Sequence, residues 1–390
     1  MNTQYFTEDH KMFRSALKDF LKKEVVPHVD QWEKEGKIDP SIWTKMGGMG
    51  YFGLAYPEKF GGLGLDFFYT LIFLEEMQRV NSGGFAAAMW AHAYLAMTHL
   101  NAEGSEALKD TYLTASIAGE KVGGLCITEP FGGSDVAGMK TTAVKEGDEY
   151  VINGSKTFIT NGVYADYLIV AAKTNPELKS KGMSIFLVDR AQSDGISATK
   201  LDKLGWRASD TAELAFDNVR VPASNLMGEE NKGFSYIMQH FASERLIMGI
   251  NAHARAEYAI EYALDYMKDR KAFNKRLDEF QALRHKIAEM STRVEFCKHF
   301  NYAVASRLDK GEYVVKEASM SKLESTKVAD EVIYDCLQLL GGYGYIEEYP
   351  LARMLRDSRL GPIGGGTSEI LKEIIAKIII DDKSYKSATN

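Results

Sequence analysis

The apolar pattern of this chain changes period twice. Up to about residue 120 it is helical: Thr7 can cap a first helix with Glu8 and Asp9 in its first turn, and Phe13, Leu17, Phe20 and Leu21 then recur on one face. Two further apolar segments, 69–80 and 84–100, follow a Gly-rich loop at 50–66. Around residue 122 the pattern becomes alternating. TTAVKEGDEYVINGSKTFITN (141–161) reads as strand, turn, strand, turn, strand, with Gly147-Asp148 and Asn153-Gly154 as the turns, and ADYLIVAAKT, MSIFLVDR and TAELAFDNVRVP continue the strands. From about 231 the helical period returns in three long runs, 234–269, 277–308 and 314–340, as expected of an antiparallel bundle. The fold class is therefore α+β in the order helical, β, helical, with expected domains at 1–121, 122–229 and 230–390.

Several function classes are disfavoured. The net charge is −7 and no basic block stands out, which argues against a nucleic-acid binder or a polybasic membrane anchor. No apolar run reaches the roughly 18 residues needed to span a bilayer. The N-terminus, MNTQYFTEDHKMF, has no apolar core of a secretory signal. Cys126, Cys297 and Cys336 are far apart and make no CxxC pair, so the expected setting is reduced and cytoplasmic. The eight histidines show no metal-binding spacing, so no metal is expected. Ser134 sits in no G-x-S-x-G elbow.

Three stretches carry candidate chemistry. LCITEPFGGSD (125–135) is a loop whose Gly pair and hydroxyls can hold a polar ligand. GSKTFITNG (154–162) puts Phe158 and Thr160 on one strand face, which suits a flat heteroaromatic group as well as it suits an ordinary half-buried strand. GPIGGGTSEI (361–370) strips side chains away just before a last helix capped by Thr367 or Ser368, which permits either a tight turn or a close approach of backbone to ligand. GGYG (341–344) lacks a preceding strand and the G-x-G-x-x-G spacing, so it is not a dinucleotide fingerprint.

Together with KLGWRASDTAELAFDNVRVP (203–222), NLMGEENKGF (225–234), DRKAFNKRLDEFQ (269–281) and QLLGGYGYIEEYP (338–350), these stretches resemble the acyl-CoA dehydrogenase family over essentially the whole chain, in order and in spacing. The long-chain and isovaleryl-type members are the nearest in look. The resemblance implies an N-terminal α-helical domain, a central β-barrel or sandwich and a C-terminal four-helix bundle, assembled as a homotetramer (a dimer of dimers). It implies FAD as cofactor, an acyl-CoA substrate and an electron-transfer flavoprotein as acceptor. The reaction would be removal of an α-proton with hydride transfer from Cβ to the flavin N5, giving trans-2-enoyl-CoA. An acyl-CoA oxidase, a glutaryl-CoA-type decarboxylating relative and a non-catalytic flavin- or acyl-CoA-binding scaffold are the alternatives.

By the same resemblance Leu125, Cys126, Ile127 and Thr128 border the flavin, Ser134 reaches both flavin and acyl-CoA, and Phe158, Ile159 and Thr160 cover the flavin's other side. Phe158 stands where many relatives carry Trp. The other half of FAD is expected to meet neighbouring subunits, through Arg270, Phe273 and Gln281 and through Gln338, Leu340, Gly341 and Gly342 at a helix end, and Thr367 and Glu369 close the site. In medium-chain relatives a Glu just before the GT of the glycine loop is the base. Here that position is Gly365, which keeps only a backbone N–H for the thioester oxygen, and Gly366 beside it is expected at the substrate. The long-chain and isovaleryl-type enzymes instead take the base from a Glu-Arg pair on a helix. FASERLIMGI supplies that pair as Glu244 and Arg245, the arginine serving the CoA portion. Arg353, Arg356, Asp357 and Arg359 are expected to form an ion-pair cluster at helical spacing.

Overall fold

The computed structural model describes residues 4–384, so the outermost residues of the two expected helical domains lie outside the described residues. Helices α1 (Glu8–Glu24), α2 (Val29–Glu35), α3 (Ser41–Gly48), α4 (Phe67–Gln78), α5 (Gly83–Ala91) and α6 (Met97–Glu103) form the first part, with a π-helical turn at His92–Ala96. The Thr7 cap is made: its hydroxyl accepts from the His10 N–H, and the His10 ring closes the box on the Thr7 N–H. α5 is apolar all round because both of its sides are covered, and α4, covered likewise, buries Glu75 and Glu76 against Arg14 among its apolar residues.

Strands β1 (Gly123–Cys126), β2 (Thr142–Glu146), β3 (Glu149–Thr160), β4 (Tyr167–Lys173), β5 (Met183–Asp189), β6 (Ile196–Lys200), β7 (Thr211–Pro222) and β8 (Leu226–Met227) make one hydrogen-bonded sheet in the order β6-β7-β3-β2-β4-β5-β8, with β1 added in parallel to β4. β4 and β5 read as continuous apolar runs because they separate two cores. Leu168, Val170, Phe186 and Val188 face the strand core with Tyr150, Ile152, Leu214 and Val219, while Tyr167, Ile169, Ile185 and Leu187 join the helical core. Gly147-Asp148 turns the chain as expected. Asn153-Gly154 does not: β3 runs through it, and the register against β7 slips there as a bulge. Gly154 sits at φ +147° with Thr141 against it, so a side chain has no room. A second slip lies between Lys156 and Ile159 and holds Phe158 at φ +59°.

After the short turns α7 (Glu106–Leu108) and α8 (Thr114–Ile117), which precede the strands, the last part packs α9 (Gly233–Asp269) against α10 (Gln281–Asp309) and α11 (Val315–Leu340), with α12 (Pro350–Ser358) and α13 (Ser368–Ile379) on α11. The cluster expected at 353–359 is not one of mutual pairs. Arg353 reaches Asp30, Arg356 reaches Glu347 and Arg359 reaches Asp330, because the helix face they share is turned to other elements. Asp357 is buried and accepts from the Gly83 N–H at 2.8 Å and the Trp206 N–H at 2.6 Å, one from the first helical part and one from the strand part.

Candidate active site

Helix α9 carries His240, Glu244 and Met248 at successive i, i+4 positions, so the three share a face. Glu244 is half-buried as a residue, but its Oε1 is buried and meets no hydrogen-bond partner among the described residues. Burial pushes its carboxyl up to about 7, against the opposing pull of His240 and the Arg245 cation. Arg245 is buried, donates to Ser319 Oγ at 3.5 Å and lies over the Phe241 ring.

The glycine loop meets this helix at Met248. Gly365 has φ +62° and Gly366 φ +92°. A Cβ on Gly365 would stand 2.6 Å from Met248 Sδ, so the loop presses its backbone onto the turn of α9 that follows Glu244. No acceptor among the described residues takes the N–H of Gly365 or Gly366. The Gly366 carbonyl accepts from Lys322 Nζ at 2.6 Å. Thr367 caps α13 by accepting from the Ile370 N–H, and Glu369 is exposed in its first turn, its carboxyl held low by its own backbone N–H and by Thr367. Thus Gly365, 121 positions along the chain from Glu244, lies against the turn of α9 that follows it.

A second group comes from the strand part. Leu125, Ile127 and Thr128 are half-buried and Cys126 is fully buried, its thiol pushed up to about 12 by burial, as a small apolar residue rather than a nucleophile. The Thr157 N–H donates to the Thr128 carbonyl at 2.9 Å. Lys156 donates to the Ile127 carbonyl at 3.2 Å and pairs with Glu129 at 2.8 Å, and Glu129 accepts from the N–H groups of Lys140 and Thr141. This buried pair pins the 127–141 loop to β3. Phe158 projects from it, 70% exposed and in a left-handed conformation costly for an aromatic residue, beside buried Ile159 and half-buried Thr160. Ser134 is exposed on the loop.

The third group surrounds a pocket of about 450 Å³ between the ends of α9 and α11. Arg270, Gln338, Leu340, Gly341 and Gly342 all line it. Nothing stands where a Cβ on Gly341 or Gly342 would be. These glycines follow the C-terminal end of α11, so the helix dipole turns its negative end here and offers no anion site of the helix N-terminal kind. Positive charge in the pocket comes from Arg270, which lies over the Tyr343 ring. Phe273 and Gln281 stand outside it: Phe273 is 90% exposed at the tip of the hairpin Lys271–Ala272/Lys275–Arg276, and Gln281 is exposed at the start of α10. An exposed ring, a bare glycine loop, an orphaned carboxylate oxygen and an arginine-lined pocket fit a group with a flat aromatic end and a phosphate end, which is the chemistry of FAD.

Sequence reasoning missed Lys322, Met248, the Glu129–Lys156 pair and the cluster His99, Glu103 and His240. In that cluster Glu103 accepts from His240 at 2.9 Å, and the buried His99 lies 3.4 Å from the other carboxylate oxygen. The signal for Lys322 was its place on the buried stripe of α11 with Ala318, Ser325 and Ala329. For the histidines it was the i, i+4 step from His99 to Glu103 and from His240 to Glu244.

The acyl-CoA dehydrogenase N-terminal domain matches residues 7–120, the middle domain 124–219 and the C-terminal domain 231–380. The long-chain specific acyl-CoA dehydrogenase of Sus scrofa is 40% identical over 380 residues, covering 97% of this chain and 88% of the relative, and the isovaleryl-CoA dehydrogenase of Arabidopsis thaliana is 36% identical over 97% and 93%. The crystal structure of an acyl-CoA dehydrogenase from Geobacillus kaustophilus superposes with a TM-score of 0.94 at 41% identity, covering 96% of this chain and 99% of that one. With three consecutive domain matches, relatives aligned almost end to end and the same α+β architecture, the chain belongs to the acyl-CoA dehydrogenase family.

Proposed function

We propose that this protein is an FAD-dependent acyl-CoA dehydrogenase that converts an acyl-CoA to its trans-2-enoyl-CoA, with Glu244 as the base. The carrying observation is the orphaned, buried Glu244 Oε1 beside a loop that holds no carboxylate of its own. A carboxyl raised to about 7 is matched to accepting an α-proton near neutral pH. The α-proton is weakly acidic, so the thioester oxygen needs fixed donors for the charge that develops on it; the unclaimed Gly365 N–H is one. FAD, when bound, accepts the hydride from Cβ. Leu125 to Thr128, Ser134 and Phe158 to Thr160 would hold its ring, Arg270, Gln338, Leu340, Gly341 and Gly342 its phosphate half, and Thr367 and Glu369 would close the site. Arg245 would hold the CoA portion.

Phe273 and Gln281 would complete a neighbouring subunit's FAD site, in a homotetramer. Support comes from the apolar side chains left exposed on the last helical part, among them Phe273, Phe296, Tyr345 and Ile380. The working division of the chain is 1–121, 122–229 and 230–390. The electron acceptor would be an electron-transfer flavoprotein and the setting cytoplasmic. Among the described residues no helix is long and apolar enough to cross a membrane. The test is anaerobic mixing of the purified protein with straight and branched acyl-CoAs. Flavin bleaching with enoyl-CoA formation is expected, without carbon dioxide release and with little oxygen consumption in air. No bleaching with any acyl-CoA would remove the reading.

A further inference from the structure

Lys322 is 0% exposed on α11, and no ion pair among the described residues includes it. A buried ammonium without a carboxylate is costly, and Arg245 nearby raises that cost; together they push Lys322 down to about 8. A methionine of similar length would fill the same space without that cost. What the lysine adds is one hydrogen bond, 2.6 Å to the carbonyl of Gly366. The loop it reaches consists of glycines in the left-handed region, the residue type with the widest choice of conformations. Other bonds fix the loop's flanks: Gly364 N–H to the Leu360 carbonyl and Ser368 N–H to the Pro362 carbonyl. Between those points, Lys322 supplies the only side-chain bond to the Gly365–Gly366 stretch among the described residues. One turn earlier on the same helix, Ser319 meets Arg245, the residue next to Glu244. One helix therefore meets both the loop and the residue that follows the base.

We infer that Lys322 is a positioning residue: by holding the Gly366 carbonyl it fixes the Gly365–Gly366 backbone so that its N–H groups meet the substrate thioester oxygen opposite Glu244. The inference rests on the acyl-CoA dehydrogenase reading and adds a residue to it. A hydrogen bond to a loop carbonyl costs the substrate nothing directly. Its value lies in orientation, where a misplacement of about 1 Å costs on the order of 10²-fold and loss of an oxyanion donor 10²–10³-fold.

The experiment compares the parent holoenzyme, Lys322→Met and Glu244→Gln. It measures the anaerobic bleaching rate with acyl-CoA, the flavin content, and the infrared carbonyl band of 1-¹³C-labelled 2-enoyl-CoA bound to the oxidised protein. Lys322→Met is expected to bleach about 10²-fold more slowly with flavin content unchanged, and its carbonyl band is expected to return toward that of free enoyl-CoA. Glu244→Gln is expected to bleach slowly yet keep the parent's carbonyl shift. A Lys322→Met protein that bleaches within about threefold of the parent overturns the inference, and so does slow bleaching with the parent's carbonyl shift intact. If Lys322→Met does not fold, Lys322→Gln, which stays polar but is one atom short of the carbonyl, carries the same two readouts. A parent that bleaches with no acyl-CoA removes the functional reading instead, before either variant is compared.

Discussion

Replacing Glu244 by Gln should slow the enzyme and stabilise it, and the two effects have one origin. The carboxyl titrates near 4.5 in an unfolded chain and at about 7 in the folded one, because burial penalises its charged form. The folded state therefore binds an extra proton between those values. This group's stabilising contribution is full below about pH 4.5 and is lost as the pH rises through about 7. The difference between the two values corresponds to roughly 3 kcal/mol, an upper bound since the residue is half-buried and water screens part of it. Glutamine keeps the shape and carries no charge at any pH. At pH 8 the variant should melt at a higher temperature than the parent holoenzyme, and at pH 5 the gap should nearly close. Bleaching by acyl-CoA should fall by the 10²–10⁴-fold typical of a lost general base. Scanning fluorimetry at the two pH values and stopped-flow absorbance give both readouts. A melting gap that stays constant with pH refutes the buried-carboxyl account. Bleaching at the parent's rate refutes Glu244 as the base.

The purified protein should be yellow, with a flavin band near about 450 nm set by the cofactor's own ring chemistry; a colourless protein that FAD cannot reconstitute contradicts the cofactor assignment. Phe273→Asp, at the exposed hairpin tip, should reduce both the mass seen by light scattering and the flavin retained on dilution, and a variant that changes neither means that the tip serves no neighbour. Moving the carboxylate by combining Glu244→Gly with Gly365→Glu should restore little activity, because the new side chain meets Met248 Sδ in a left-handed backbone; adding Met248→Ala should improve it, and no gain from that third change argues against the contact. His240→Gln removes a side chain whose charge opposes the rise at Glu244 one turn away, so the acidic limb of the kcat/KM profile should move to higher pH, and an unmoved limb excludes the coupling.

The two switches of hydrophobic period were legible because burial on one face leaves a repeat in the sequence: β1 begins at Gly123 and α9 at Gly233, close to where the alternation starts and stops. The bulge at Asn153-Gly154 was not, since a glycine that yields to a neighbour's side chain looks the same in sequence as one that turns the chain. The arginines at 353–359 misled for a related reason. Their spacing shows that they share a face, while each finds its partner off that face: Asp30 lies 323 positions from Arg353, Asp330 29 from Arg359 and Glu347 9 from Arg356. Gly341-Gly342 was legible as the C-terminal end of the run 314–340, and α11 ends there at Leu340, so the local field of that helix end is negative. Glu244 and Gly365 could be paired only through family resemblance; Met248, which joins them in space, carries no mark in the sequence. Lys322 was on the page as a charged residue in an apolar stripe, a pattern easily assigned to solvent.

Asp357 bears on how the molecule comes apart. Its two oxygens each hold one backbone N–H, from Gly83 and from Trp206, while the residue itself belongs to α12. No two of the three parts can complete this clasp alone, so it forms only when all three are docked. Opening any one of them leaves an anion with an empty bond in the interior. Amide exchange at Gly83 and Trp206 should then report the same rare event, although the two lie in different parts of the chain, and a protease should find the junctions between the parts open together or not at all.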